Sequence, residues 1–131
     1  MGIFPTLSTV KNPKITVQLD KELRNHLSVD ITSSDKFENY LAENIFEFLP
    51  ILYLEGWSQL RSNQKKFNFP ENPDVIFTAI GIYTNDYFKY WAAEKIQTGT
   101  KLVVGQHGGH YATFKISSEF LPHELAISDC Y

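Results

Sequence analysis

His107 and His110 stand in the run Gly105-Gln106-His107-Gly108-Gly109-His110-Tyr111, and few other residues of this chain are of types and spacing suited to chemistry. An imidazole titrates near neutrality, so His107 can take a proton from a hydroxyl, or it can hydrogen-bond a phosphate. It can equally brace its own loop. The glycines tolerate positive φ and let a ligand come close to the backbone, and the amides around Gly108 and Gly109 can cradle an anion. The run lacks both Gly-Lys-Ser/Thr and Gly-x-Gly-x-x-Gly, so it is neither common type of phosphate loop. Two histidines three apart, with His123 and Glu124 nearby in sequence, offer a thin ligand set where zinc wants three or four, and no metal site is assigned. A small metal-dependent hydrolase is the weakest reading on that ground.

The apolar run Lys101–Val104 precedes this loop and reads as a buried strand. Asp74–Ile80 is a second such run, rich in β-branched residues and ended by Gly81, and it predicts a central strand buried on both faces. Between them Thr84 or Asn85 can cap a helix, with Asp86 in its first turn, a buried stripe of Tyr87, Phe88, Trp91, Ala92 and Ile96, and Gly99 as its stop. Strand, helix and strand over about thirty residues are the pattern of a right-handed βαβ crossover. In a parallel sheet the loops after both strands lie at one edge, where open α/β sheets bind ligands. Tyr83, Asn85 and Asp86 would then share a cleft with His107, although capping is the plainer role for Asp86. Pro122 can open a short helix over His123–Asp129. A further strand would be due where Tyr131 stands, so the fold class is α/β, part of a doubly wound sheet.

Upstream the pattern is mixed. Residues 1–13 read as irregular, and Ile15, Val17 and Leu19 alternate with polar residues as in a half-buried strand. Residues 20–34 read as loop. Ser34 or Asp35 can cap a helix whose stripe is Phe37, Tyr40, Leu41, Asn44, Ile45, Phe48 and Leu49, with Pro50 breaking it at Leu49. Ile51–Arg61 predicts a second helix, weakened by Gly56. Residues 62–73 read as a polar connection, and Glu55 as a solvated carboxylate.

Composition narrows the function classes. The 131 residues fit one domain, with 43% hydrophobic and 21% charged residues, which argues against disorder. Ten Phe and seven Tyr predict a core rich in rings. A net charge of −3 with scattered basic residues disfavours nucleic-acid binding. Cys130 is the only cysteine, so no intrachain disulfide forms; this fits a reducing cytoplasm. The longest apolar stretch, Phe48–Leu54, is far short of the roughly 20 residues that span a bilayer, and the N-terminus lacks a signal-peptide pattern.

Pro73–Thr78, Phe88-Lys89-x-Trp91-Ala92-Ala93-Glu94-Lys95 and Lys101–Tyr111, flanked by Tyr53-Leu54-Glu55-Gly56 and His123-Glu124-x-Ala126-Ile127-Ser128-Asp129, resemble a family of bacterial transferases associated with surface-carbohydrate genes. The match runs from about Phe37 to the end. The family is distantly similar to the glycerophosphotransferases and polymerases of teichoic-acid synthesis, which have a two-domain GT-B glycosyltransferase fold and a catalytic His-Gly pair after a strand of the first domain. The resemblance implies that His107-Gly108 takes that role, with His107 as base for an acceptor hydroxyl, and that Gln106, Gly109 and Tyr111 line the same cleft; Gly108 and His110 of that loop and, from the shared sheet edge, Tyr83 and Asn85 are the further expected substrate-binding residues. It implies a transferase with a nucleotide-activated sugar or polyol donor, a carbohydrate acceptor and no cofactor, working in the cytoplasm, with this short chain expected to be inactive by itself. Family members are several times longer. The expectation is therefore an irregular lead-in over 1–36 and an incomplete Rossmann-like domain over 37–131, a partial parallel sheet with flanking helices. The second, donor-binding domain is expected to be absent, and exposed sheet edges invite self-association. The alternative is a non-catalytic α/β binding or assembly module whose glycine loop holds a small anion.

Overall fold

The computed structural model describes residues 13–14, 16–31, 33–108 and 121–131. The chain separates into two compact units, one formed by Lys11–Leu60 and the other containing Arg61–Tyr131.

In the Lys11–Leu60 unit, Asp20 caps α1 (Lys21–His26) by accepting from the Leu23 amide at 2.9 Å. Glu22 in its first turn and Arg24 and His26 in its last suit the helix dipole. Asp35 caps α2 (Lys36–Phe48) by accepting from the Phe37 and Glu38 amides. The helix stops where expected, because proline pushes the preceding residue, Leu49, into an extended conformation at ψ 126°. A single 3-10 turn over Ile51–Tyr53 follows, and α3 (Trp57–Gln64) begins only after Gly56.

Four expectations fail here. Residues 16–20 form no strand: the Thr16 amide donates to Gln59 Oε1 and the Asp20 amide to Glu55 Oε1, so side chains satisfy this segment in place of a ladder. Residues 20–34 contain α1, which the loop reading missed. The second helix does not run unbroken from Ile51, because glycine interrupts it. Glu55 is not solvated. The Arg24 guanidinium forks onto it, Nε and Nη2 each 2.6 Å from a carboxylate oxygen, with both side chains buried (4% and 6% exposed). Nη1 donates to the Phe46 and Leu49 carbonyls, so one side chain also caps the end of α2. The apolar stripe of α2 leaves Phe37, Tyr40, Leu41 and Phe48 exposed.

The second unit is mixed α/β around a small parallel sheet. β1 (Val75–Thr78) pairs with β2 (Lys101–Val104) in the register Val75↔Lys101 to Thr78↔Val104. The short α4 (Gly81–Thr84) and then α5 (Asp86–Gln97) cross between them, so the expected βαβ unit is present. Asn85 caps α5 by accepting from the Phe88 amide, and Gly99 ends it at φ +103°, where other residues are strained. α6 (Leu121–Ile127) returns the chain to the sheet, where Cys130 makes a parallel bridge to Val103 on the other side of β2. Asp129 accepts from the Leu102 amide and from Lys101 Nζ, which fixes this arrival.

The core is the α5 side of the sheet: Ile76, Leu102 and Val104 meet Ile82, Phe88, Trp91 and Ala92. Side chains of this size gain about 1.5–3 kcal/mol each on burial. The 62–73 connection is not merely polar. Phe67 stacks on Tyr87 and Phe69 on Trp91, each at 4.8 Å between ring centroids, and Trp91 Nε1 donates to the Pro70 carbonyl. The expected ring-rich core is therefore real and draws on that connection. β1 is not buried on both faces. Ile76 and Thr78 point into the core while Val75 and Phe77 are exposed, because helix α5 packs on one side of the pair.

Candidate active site beyond the sheet edge

The carboxyl ends of β1 and β2 lie side by side, so the segments that leave them share one edge. After β1, Thr78 Oγ1 accepts from the Gly81 amide at 2.9 Å and turns the chain sharply into α4. A Cβ at Gly81 would meet Thr78 Oγ1 at 2.8 Å and the Phe88 ring at 2.9 Å, so the turn requires glycine. α4 carries Tyr83 to the edge. After β2, the Gly105 amide donates to the Thr78 carbonyl at 2.8 Å, and the Phe77 ring lies against Gly105 so closely that an added Cβ would come within 2.8 Å of it. This close approach leaves room only for glycine at the start of the segment that carries His107.

The Tyr83 and His107 rings stack, with centroids 5.5 Å apart and planes 25° from parallel. Glu124, in the first turn of α6, reaches the same place from a third direction. Its side chain is fully buried. Its Oε1 accepts from the Tyr83 hydroxyl at 3.1 Å and lies 3.4 Å from His107 Nδ1. His107 keeps 18% of its side chain exposed, so the ring has one side against the carboxylate and retains contact with solvent. The His123 ring stands 6.3 Å from that of Tyr83.

A histidine held at Nδ1 by a carboxylate can act as a base through Nε2, the arrangement that orients imidazoles in many hydrolytic and transfer sites. Tyr83 does approach His107, as its place after β1 implied. Its hydroxyl is directed at Glu124. Asn85 uses its side chain as the α5 cap. Gln106 Nε2 donates to the Gly108 carbonyl at 2.6 Å and closes the loop on itself. Asp86 pairs with Lys89 at 3.2 Å on the surface. Gly109, His110 and Tyr111 lie outside the described residues. Among the described residues no three His, Cys, Asp or Glu side chains converge to hold a metal ion, and no helix is long and apolar enough to cross a membrane.

The contact of Glu124 with Tyr83 and His107 is what the sequence hid. In the sequence Glu124 stands only as a nearby candidate ligand and as part of the run His123–Asp129, and neither foretells its place against His107. Its burial comes from the return of α6 to the sheet, which is tertiary.

His107 and the buried Glu124 carboxylate thus meet at the edge of a strand–helix–strand unit. The chain belongs to the LIC12162 family of transferases, whose family model matches residues 1–131. No curated protein and no solved structure matches it.

Proposed function

We propose that this chain is the acceptor-side part of a glycosyl- or polyol-phosphate-type transferase of bacterial envelope carbohydrate biosynthesis, with His107 as general base. The observation that supports this most is the imidazole of His107, set beyond the carboxyl end of β2 with a buried carboxylate at Nδ1. In the reaction an acceptor hydroxyl loses its proton to His107 as its oxygen bonds to the donor's anomeric carbon or phosphorus. The bond from that atom to the nucleotide breaks, and the nucleotide leaves with the electron pair. The donor is a nucleotide-activated sugar or polyol held mainly by a second Rossmann-like domain of a GT-B pair, and the acceptor is a carbohydrate. The work is cytoplasmic, where such donors are made. On this reading Gln106 and Gly108, in the turn that carries His107, line the acceptor site.

The binding-module alternative has less support. A buried carboxylate against His107 offsets the imidazole's attraction for an anion. The test is His107→Ala in the full-length transferase, with nucleotide release followed over a panel of nucleotide-activated sugars and polyols. Loss of acceptor-dependent release in a folded variant supports the base role; wild-type rates contradict it.

A further inference from the structure

We infer that Glu124 and Tyr83 are positioning residues that set the tautomer and ring plane of His107, with the Tyr83 hydroxyl serving Glu124 and not the substrate. This rests on the reading of His107 as base. The argument begins with the single oxygen Oε1. It accepts from the Tyr83 hydroxyl and faces His107 Nδ1, so it presents a lone pair to that nitrogen. A neutral imidazole with its proton on Nε2 would turn a second lone pair toward it across 3.4 Å, which is repulsive. The proton on Nδ1 instead makes the contact attractive. That tautomer is the less abundant one for histidine in water, so the protein must select it. It is also the one that carries the basic lone pair on Nε2, as a base for a hydroxyl requires.

Burial gives the contact its weight. Glu124 has no solvent exposure, so its field at Nδ1 is poorly screened. Tyr83 contributes twice. Its hydroxyl fixes the carboxylate, and its ring stacks on the imidazole and opposes rotation out of plane. The three side chains come from α4, the segment after β2, and α6, so the arrangement exists only when all three elements are docked. Partners that orient metal-bound imidazoles are typically worth about 10- to 100-fold, and the same scale is expected for Glu124 on His107.

The test combines nitrogen NMR with kinetics. In protein labelled with nitrogen-15 histidine, at a pH where the ring is neutral, His107 of the wild type should show a protonated Nδ1 and an unprotonated Nε2. Glu124→Gln should shift the population toward a proton on Nε2 and lower kcat for nucleotide release by about 10- to 100-fold with little change in KM. Tyr83→Phe keeps the ring and should cost roughly 2- to 10-fold in kcat, with a partial shift in tautomer. Glu124→Asp should recover part of the loss. Should Glu124→Gln fail to fold, the wild-type tautomer and Tyr83→Phe still decide the matter. A wild-type His107 protonated on Nε2 overturns the inference. So does a folded Glu124→Gln that keeps wild-type kcat, or one that loses kcat with the tautomer unchanged. Failure of the base reading is separate: it appears as full activity in His107→Ala, whatever the tautomer.

Discussion

Glu124 Oε1 lies 3.4 Å from His107 Nδ1, and the carboxylate is wholly shielded from solvent. A buried carboxylate is costly unless partners hold it, so removing its partners should be felt in stability as well as chemistry. Tyr83 and His107 both face it. The two variants should therefore differ in kind. Tyr83→Phe should lower the melting temperature, because it removes a hydroxyl donor from a buried acceptor at a cost of about 1–3 kcal/mol. His107→Gln, which retains a polar group near the carboxylate, should melt closer to the wild type. Thermal denaturation of the two variants checks the order.

Arg24 and Glu55 form a buried charge pair, and it carries a pH signature. The Arg24 guanidinium holds the Glu55 carboxyl at about 2, well below the ordinary 4.5. A carboxyl with a depressed folded pKa adds stability above its unfolded value, and the contribution fades as pH falls through the folded one. Glu55→Gln should therefore melt lower than the wild type at neutral pH, with the gap narrowing between about pH 4.5 and pH 2. A gap that does not change over that range would contradict this account of the pair. Melting curves at four or five pH values suffice.

Two glycines make contrasting predictions. Gly81→Ala forces a Cβ to 2.8 Å from Thr78 Oγ1 and 2.9 Å from the Phe88 ring, inside a packed turn. Overpacking of this sort costs about 1–3 kcal/mol. Gly99→Ala meets nothing within 4 Å, so its cost is the positive φ alone, about 1 kcal/mol. Chemical denaturation should rank Gly81→Ala as the worse of the two. Gly81→Ala should also lower transfer, since the turn it distorts delivers Tyr83.

Trp91 joins the α5 helix to the connection before β1 through its stack on Phe69 and its bond to the Pro70 carbonyl. Trp91→Ala should cost about 3–5 kcal/mol. Urea titration of the variant against wild type measures it. A cost below about 1 kcal/mol would mean that the aromatic cluster is not part of the cooperative core.

The βαβ unit was legible because each of its signals is local. β-branched runs mark Val75–Thr78 and Lys101–Val104, Asn85 and Gly99 bound α5, and the stripe Tyr87, Phe88, Trp91 and Ala92 has helical spacing. The site was half legible for the same reason. His107 stands out as a candidate by its glycines, whereas Glu124 meets it only when α6 folds back. Other misses share this cause. The alternation at Ile15–Leu19 suits any extended segment, and side chains of Gln59 and Glu55 happen to satisfy it. Two-sided burial of β1 was inferred from an apolar run, but Phe77 faces outward and covers Gly105. Glu55 looked solvated because nothing near it in sequence foretells Arg24.

On the proposed reading, the most direct test of His107 as base is the single-turnover rate of transfer by the transferase that contains this chain, at saturating donor and acceptor, for wild type and His107→Gln. General-base catalysis contributes about 10²–10⁴-fold. The account predicts a loss of that size, with donor binding and melting temperature nearly unchanged. A His107→Gln enzyme that transfers at the wild-type rate would contradict it.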